Sequence, residues 1–598
     1  LALLILLALA FANPFVNRTT GATGRRKLTV IVVDHSFSMR ATNRIQEAKA
    51  EAQRVAAAVR GQDLVQVMAL DSHLEALTQY ERNQGTLRAA IESVAPSDLA
   101  SSYGEFARAL RAMEQNSGMQ LAVHLISDMQ QSSLPNFRDL QLGPHTTLAL
   151  HPVGAGKAAN WAVESVATAP HVYDPKQTRL TATIGGWQTA AASKKVSLTI
   201  NKHELGTREV SVPANGRAQV EFLGFDVPYG ASRGEVTIEP TDSLPGDDAF
   251  RFSVEREDPR RVLFLYTAGR SREPFYYKAA MESSTATGLT VEAAPLEQAA
   301  GRDFSKYAFV VLSNAGEMDK SIADALCGYV QKGGAALIAL GGNSARAGKI
   351  PLAGERFTSA HMTQGAGYVD EQTPALAGVG RFQNVQFLDS VQFEPKAGAR
   401  ISAKLADGSP LIVEERMGEG RMLIFTSTLD NSSNDFPLHA SFLPFVVQSG
   451  HYLAGGEETG SSVVAGTAVT LRRSREQGSA TDVIGPEGKH ELGLGEAAKA
   501  LSFGLMKEGF YEIQRASGRR SVEAVHADRR ESDLSRIPQE TLDLWRNTGS
   551  SAAAVTGGGE QQTVPWSLWR YVLAVALAAA IVESIFASRY LNKERQTA

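Results

Sequence analysis

Short, unbroken apolar runs recur along the first quarter of the chain, and stretches with helical character alternate with them. Residues 28–34 (LTVIVVD) form a continuous run, mostly β-branched and apolar, as a strand buried on both faces would be. Residues 44–59, rich in Ala, Glu, Gln, Lys and Arg, read as a helix. Residues 63–69 (DLVQVMA) predict a second strand, 86–94 and 105–114 two further helices, 121–127 (LAVHLIS) a third strand and 145–153 a fourth. Strands alternating with helices predict a parallel α/β sheet, placing a first domain over residues 25–157. Between 161 and 254 the period drops to two. KVSLTIN (195–201), AQVEFLGF (218–225) and GEVTIEP (234–240) recur between Gly, Pro and Asn turns, the pattern of an antiparallel β-sandwich over 158–256. Buried-strand runs return over 260–456, at RVLFLY (261–266), FVVLSN (309–314), AALIALGG (335–342) and RMLIFTS (421–427), with a helix over 319–332. A β-rich piece over 460–546 ends in a short helix near 539–546. The expected fold class is therefore multidomain α/β and β.

Both ends of the chain are apolar. Residues 1–17 (LALLILLALAFANPFVN) carry no charge and do not begin with Met, which reads as a membrane helix truncated at its start. A signal peptide cut after the small pair Ala10 and Ala12 is the alternative, but the basic segment that should precede it is missing. Residues 547–565 are Gly-, Ser- and Ala-rich at their start and predict a flexible tether. A second membrane helix is expected over 566–590. Its apolar run holds one charge, Glu583; Trp566 and Trp569 stand before it, and Arg589, Lys593 and Arg595 follow.

At 598 residues the chain exceeds what one core can organise. Its 43% hydrophobic and 21% charged content is that of globular protein, and a net charge of −4 gives no footprint for nucleic acid. With one cysteine, Cys327, no intrachain disulfide can form.

The segment that carries chemistry is DHSFSM (34–39), at the carboxyl end of the first strand, the edge where open parallel sheets bind ligands. Asp34, Ser36 and Ser38 are hard oxygen donors spaced two apart in a turn. They suit Mg²⁺ or Mn²⁺, ions that favour octahedral oxygen coordination and retain waters. So few protein charges leave room for a partner's carboxylate to complete the shell. Alone, D-x-S-x-S is a weak signal that a helix-capping turn could equally explain.

With its neighbours, VVDHSFSM resembles the metal-ion-dependent adhesion site (MIDAS) of von Willebrand factor A (VWA) domains, a Rossmann-like doubly wound fold. That resemblance implies a distant Asp, matched by Asp128 in LISDMQ, and a Thr, whose place falls at Ser101–Ser102; Ser102 is the candidate. The glycine that commonly follows the last Asp is here Met129. The order of segments resembles bacterial membrane proteins related to the aerotolerance (Bat) group. It implies a class I glutamine-amidotransferase-like domain over 260–456, terminal transmembrane helices, and an inner-membrane location with the large domains periplasmic. Implied partners are a protein supplying a carboxylate, a MoxR-type ATPase and other VWA membrane proteins.

The competing expectation is an enzyme or small-ligand receptor built on the second α/β domain. Cys327 speaks against it, since it falls in the body of a predicted helix, where the thiol would pack against the sheet. No H-E-x-x-H or phosphate-loop motif occurs. The polar run 427–439 (STLDNSSNDFPLH) could line a pocket but is more simply a self-capped loop, and 527–534 (ADRRESDL) reads as a solvated link. The expectation is thus a non-enzymatic, metal-dependent binding scaffold.

Overall fold

The computed structural model describes residues 15–19, 27–548, 563–567 and 574–585, apart from 60–62, 155–157, 269–272, 284–286, 383, 456–459, 472–479, 498, 516–517, 519 and 576. The first sheet is built from β1 (Lys27–Asp34), β2 (Leu64–Leu70), β3 (Leu74–Ala76), β4 (Gln120–Ser127) and β5 (Thr146–Pro152), in the spatial order β3-β2-β1-β4-β5. All pairings are parallel except the β2–β3 hairpin at the edge. Side chains alternate along β1. Leu28, Val30 and Val32 enter one core layer, Ile31 and Val33 the other, so this largely apolar strand is buried on both faces.

Helices α1 (Arg44–Ala58) and α2 (Gln84–Ser93) cover one face through Ala48, Ala52, Val55, Leu87 and Ile91. The opposite face receives α3 (Tyr103–Ser117) through Tyr103, Phe106 and Leu110. One helix cannot cover that face. The remainder is filled by Ile537, Leu542 and Trp545, on and just before the Gln539–Arg546 helix. Trp545 is fully buried, with its ring centroid 5.1 Å from Tyr103 and 6.0 Å from Phe106. The helix grouped by sequence with the last β-rich piece thus completes the first domain.

Residues 160–256 form two facing layers, of five and three strands, antiparallel except for the short parallel edge strand His171–Val172, around a common core that includes Val163, Leu198, Phe222 and Phe252. Beyond them lies a nine-stranded mixed sheet. Its strands from Arg260–Tyr266 to Gly420–Phe425 run parallel, then antiparallel strands extend one edge. Residues 463–526 add a five-stranded and a two-stranded sheet.

After its last strand, Arg520–His526, the chain returns to the first domain. Ile537 N donates to Met129 O at 2.9 Å and Gln131 N to Ser535 O at 2.8 Å, while Arg536 bonds the carbonyls of Val153 and Gly154. Residues 527–534 are therefore not a solvated link: Arg529, Glu531 and Ser532 are all buried. Arg529 lies over the Phe250 ring and donates to Ala249 O.

Near the two apolar ends, Phe15–Thr19 pairs antiparallel with Thr563–Ser567, Phe15 opposite Ser567 and Thr19 opposite Thr563. Those residues of the two expected membrane spans are extended. Residues 1–14 and most of 568–590 lie outside the described residues. The described parts, 574–575 and 577–585, are helical and expose Val575, Leu577, Ile581, Val582 and Ile585. Among the described residues, no helix is long and apolar enough to cross a membrane.

Candidate metal centre

Asp34 ends β1, and the turn after it is fixed by its own carboxylate. One oxygen accepts from Ser36 N at 2.9 Å and Ser36 Oγ at 2.7 Å; the other accepts from Ser127 Oγ at 2.6 Å and Ser101 Oγ at 3.3 Å. Ser36 Oγ stands 3.4 Å from Ser38 Oγ, so both hydroxyls lie beside Asp34, and all three residues are fully buried. Backbone bonds from His35 N to Leu70 O and from Phe37 N to Leu99 O lock this turn to the neighbouring loops.

Asp128 leaves the end of β4 into the same space. Buried Arg44 on α1 pairs with one of its oxygens, while Asp128 Oδ1 has no hydrogen-bond partner among the described residues. Met129, where the resemblance expects glycine, has φ of 56° and is fully buried. The backbone there adopts the left-handed conformation that glycine meets without strain, and the methionine side chain is held in place by the core.

Ser102 and Ser101 divide the roles expected of one residue. Ser102 is the N-cap of α3 and accepts from Glu105 N at 3.4 Å. Ser101, one residue earlier, turns its hydroxyl onto Asp34. The sequence carried this signal: Ser102 followed three positions later by Glu105 is a helix-start pattern, leaving Ser101 for the site.

Sequence reasoning missed the third carboxylate altogether. Glu531, only 1% exposed, accepts from Ser38 N (3.2 Å), Ser101 N (3.2 Å) and Ser133 Oγ (3.3 Å). Burial, then the charges of Asp128 and Asp34, push its carboxyl up to about 8. Burial and Asp128 likewise raise Asp34 to about 6. Asp34 and Asp128 set against the one guanidinium leave a buried negative charge, with the Glu531 carboxyl beside it, in a medium that penalises charge strongly. That excess, the unpartnered oxygen of Asp128 and the all-oxygen donor set fit a hard divalent cation.

A second acidic group, Asp242, Asp247 and Asp248, brings carboxylate oxygens within 4.8 Å of one another. Here protein cations face the group: Lys194 offsets Asp248 and Arg529 offsets Asp247.

Cys327 is half-buried on the flank of the Lys320–Gln331 helix, not packed against the sheet, and burial with nearby Asp324 raises its thiol pKa, which disfavours a nucleophilic thiolate. Where the strand Val310–Ser313 ends in a left-handed residue, that residue is Asn314, an amide that accepts from Asn343 N. In the 427–439 run, Asp430 caps Ser432, Asn434 bonds Ser427 and Thr428, and Asp435 pairs with His439.

No curated protein matches the chain. Among solved structures, the chain is similar to BatB from Bacteroides thetaiotaomicron (17% identity, 21% of this chain and 65% of that one, TM-score 0.18). It is also similar to an aerotolerance-related membrane protein from Bacteroides fragilis (16%, 23% and 71%, 0.20). A thua-like protein from Bacteroides uniformis matches at 12% identity over 34% of this chain and 94% of that one, with a TM-score of 0.25. These are partial likenesses of fold. Residues 29–131, which hold Asp34, Ser36, Ser38, Ser101 and Asp128, match the von Willebrand factor type A domain family, and the chain carries such a domain.

Proposed function

We propose that this protein is a membrane-anchored scaffold whose VWA domain binds a divalent cation, Mg²⁺ or Mn²⁺, and uses it to engage protein partners. One observation carries the reading: Asp34, Ser36, Ser38 and Asp128 converge at the carboxyl edge of the sheet with negative charge that the surrounding protein does not balance. In this reading Ser36 and Ser38 coordinate the ion, Asp34 and Asp128 hold it directly or through water, and Ser101 orients Asp34. Bound there, the ion would bridge to a carboxylate. Partners supplying one, including a MoxR-type ATPase or other VWA membrane proteins, belong to the proposal by resemblance.

Anchoring draws support from the ribbon. Because Phe15–Thr19 and Thr563–Ser567 are antiparallel, the chain before Phe15 and the chain after Ser567 leave from the same end of the pair. Two apolar segments starting side by side would hold everything between them on one side of a membrane, which we propose is the periplasmic side of the bacterial inner membrane.

The test is Mn²⁺ binding by calorimetry on the full chain in detergent, wild type beside Asp34→Asn. Saturable binding that the variant loses supports the reading. Equal binding by both, or none by the folded wild type, overturns it.

A further inference from the structure

Glu531 closes on the loops that carry Ser38 and Ser101, and it belongs to this chain. We infer that Glu531 is an internal ligand of the VWA site, a carboxylate delivered in cis by the segment that follows the last β-sheet. The inference rests on the cation site proposed above.

Geometry carries it. Ser38 and Ser101 place their hydroxyls on the Asp34 side of the site, and the backbone N–H groups of these same two residues hold Glu531, each at 3.2 Å. A third donor, Ser133 Oγ at 3.3 Å, comes from the loop after Asp128. All three loops at this edge of the sheet therefore close on one carboxylate. The contact spans 493 residues between Ser38 and Glu531, so local chain connectivity does not explain it. The backbone around Glu531 is held separately: Gln130 Nε2 donates to both Glu531 O and Asp533 O at 2.7 Å, and Asn160 Nδ2 to Ser532 O at 3.0 Å. Farther on, Trp545 anchors the same segment in the domain core.

This arrangement presses a third carboxylate against two others and removes it from water, which is unfavourable unless a cation joins them. With a cation held at Ser36 and Ser38, Glu531 would supply a carboxylate to its shell and the 527–546 segment would become part of the metal site. A partner's carboxylate can then reach the ion only by displacing Glu531. The site is closed in cis, and partner capture is coupled to release of this segment.

The experiment compares Mn²⁺ binding to the full chain in detergent for wild type, Glu531→Gln, Glu531→Asp and Asp34→Asn, with hydrogen exchange read over 527–546. Gln keeps the size and one acceptor oxygen but removes the charge, and circular dichroism confirms that each variant is folded. The expected result is wild-type binding, loss in Asp34→Asn, an affinity at least about tenfold weaker in Glu531→Gln and partial recovery in Glu531→Asp. Mn²⁺ should slow exchange over 527–546 in the wild type and not in Glu531→Gln. Equal affinity in wild type and Glu531→Gln, with no metal effect on 527–546, would overturn the internal ligand while leaving the cation site standing. Binding that appears only in Glu531→Gln would also overturn it, making Glu531 a plug. Absence of binding in every folded form would overturn the cation site and the internal ligand together.

Discussion

Replacing Trp545 with alanine would uncover a face of the first sheet from nearly 400 residues away in sequence. The indole is fully buried against Tyr103 and Phe106, at centroid separations of 5.1 and 6.0 Å. A buried aromatic of this size covers roughly 200 Å², worth about 5 kcal/mol at 25 cal/mol per Å². The alanine that remains recovers part of this, and Trp→Ala changes in cores cost about 3–5 kcal/mol. The VWA sheet should therefore lose about 4 kcal/mol, a large fraction of an ordinary domain's stability. Hydrogen exchange of the amides in Leu28–Val33 and Leu121–Ile126 reads this sheet apart from the other domains. Their slowest amides should exchange about 10³-fold faster in the variant, since each 1.4 kcal/mol is a factor of ten. Leu544→Ala, on the same helix but 61% exposed, should change nothing. If Trp545→Ala leaves the sheet's protection within a factor of ten of wild type, the Gln539–Arg546 helix is not part of this domain's core.

Three further outcomes follow from the same geometry. Ser102→Ala should cost about 1 kcal/mol in thermal melts by removing the α3 cap, yet leave Mn²⁺ affinity unchanged, whereas Ser101→Ala should weaken Mn²⁺ binding in calorimetry. A fragment of residues 27–154 should be unstable and sediment as aggregates, and co-expression with residues 527–548 should restore a soluble complex in size-exclusion chromatography, because that segment covers Tyr103 and Phe106. Burial lowers His526 to about 4, so between pH 6.5 and 4 the unfolded chain binds more protons than the folded one. Stability contributed there should be intact above pH 6.5 and fall as pH drops through that window, by at most about 1.4 kcal/mol per unit, and His526→Gln should flatten the fall in melting curves.

What the sequence disclosed depended on how local the cause was. The run 28–33 declared a strand buried on both faces because five of its six positions are apolar, and Asp34, Ser36 and Ser38 declared a turn because their spacing is short. Ser101 and Ser102 differ by one residue at a helix start, a distinction set by cap geometry, and the Ser102–Glu105 pair was its only trace. Glu531 left no local trace. ADRRESDL has the composition of a solvated segment, and its burial depends on donors from Ser38, Ser101 and Ser133 that only the tertiary fold brings to it. The Gln539–Arg546 helix was legible as a helix but not by destination, since an amphipathic pattern tells which face is buried and not against what.

The long return of the chain also sets a clock on biogenesis. Arg536 and the Val153 carbonyl it holds are separated by 383 residues. At about 5–20 residues per second, a ribosome needs roughly 20 to 80 s to make the intervening chain. Throughout that interval the nascent first domain presents Tyr103, Phe106 and Leu110 without their cover. The first domain is thus finished only after the 383 residues that follow Val153 are made, and its assembly waits on the segment that holds Arg536 and Trp545.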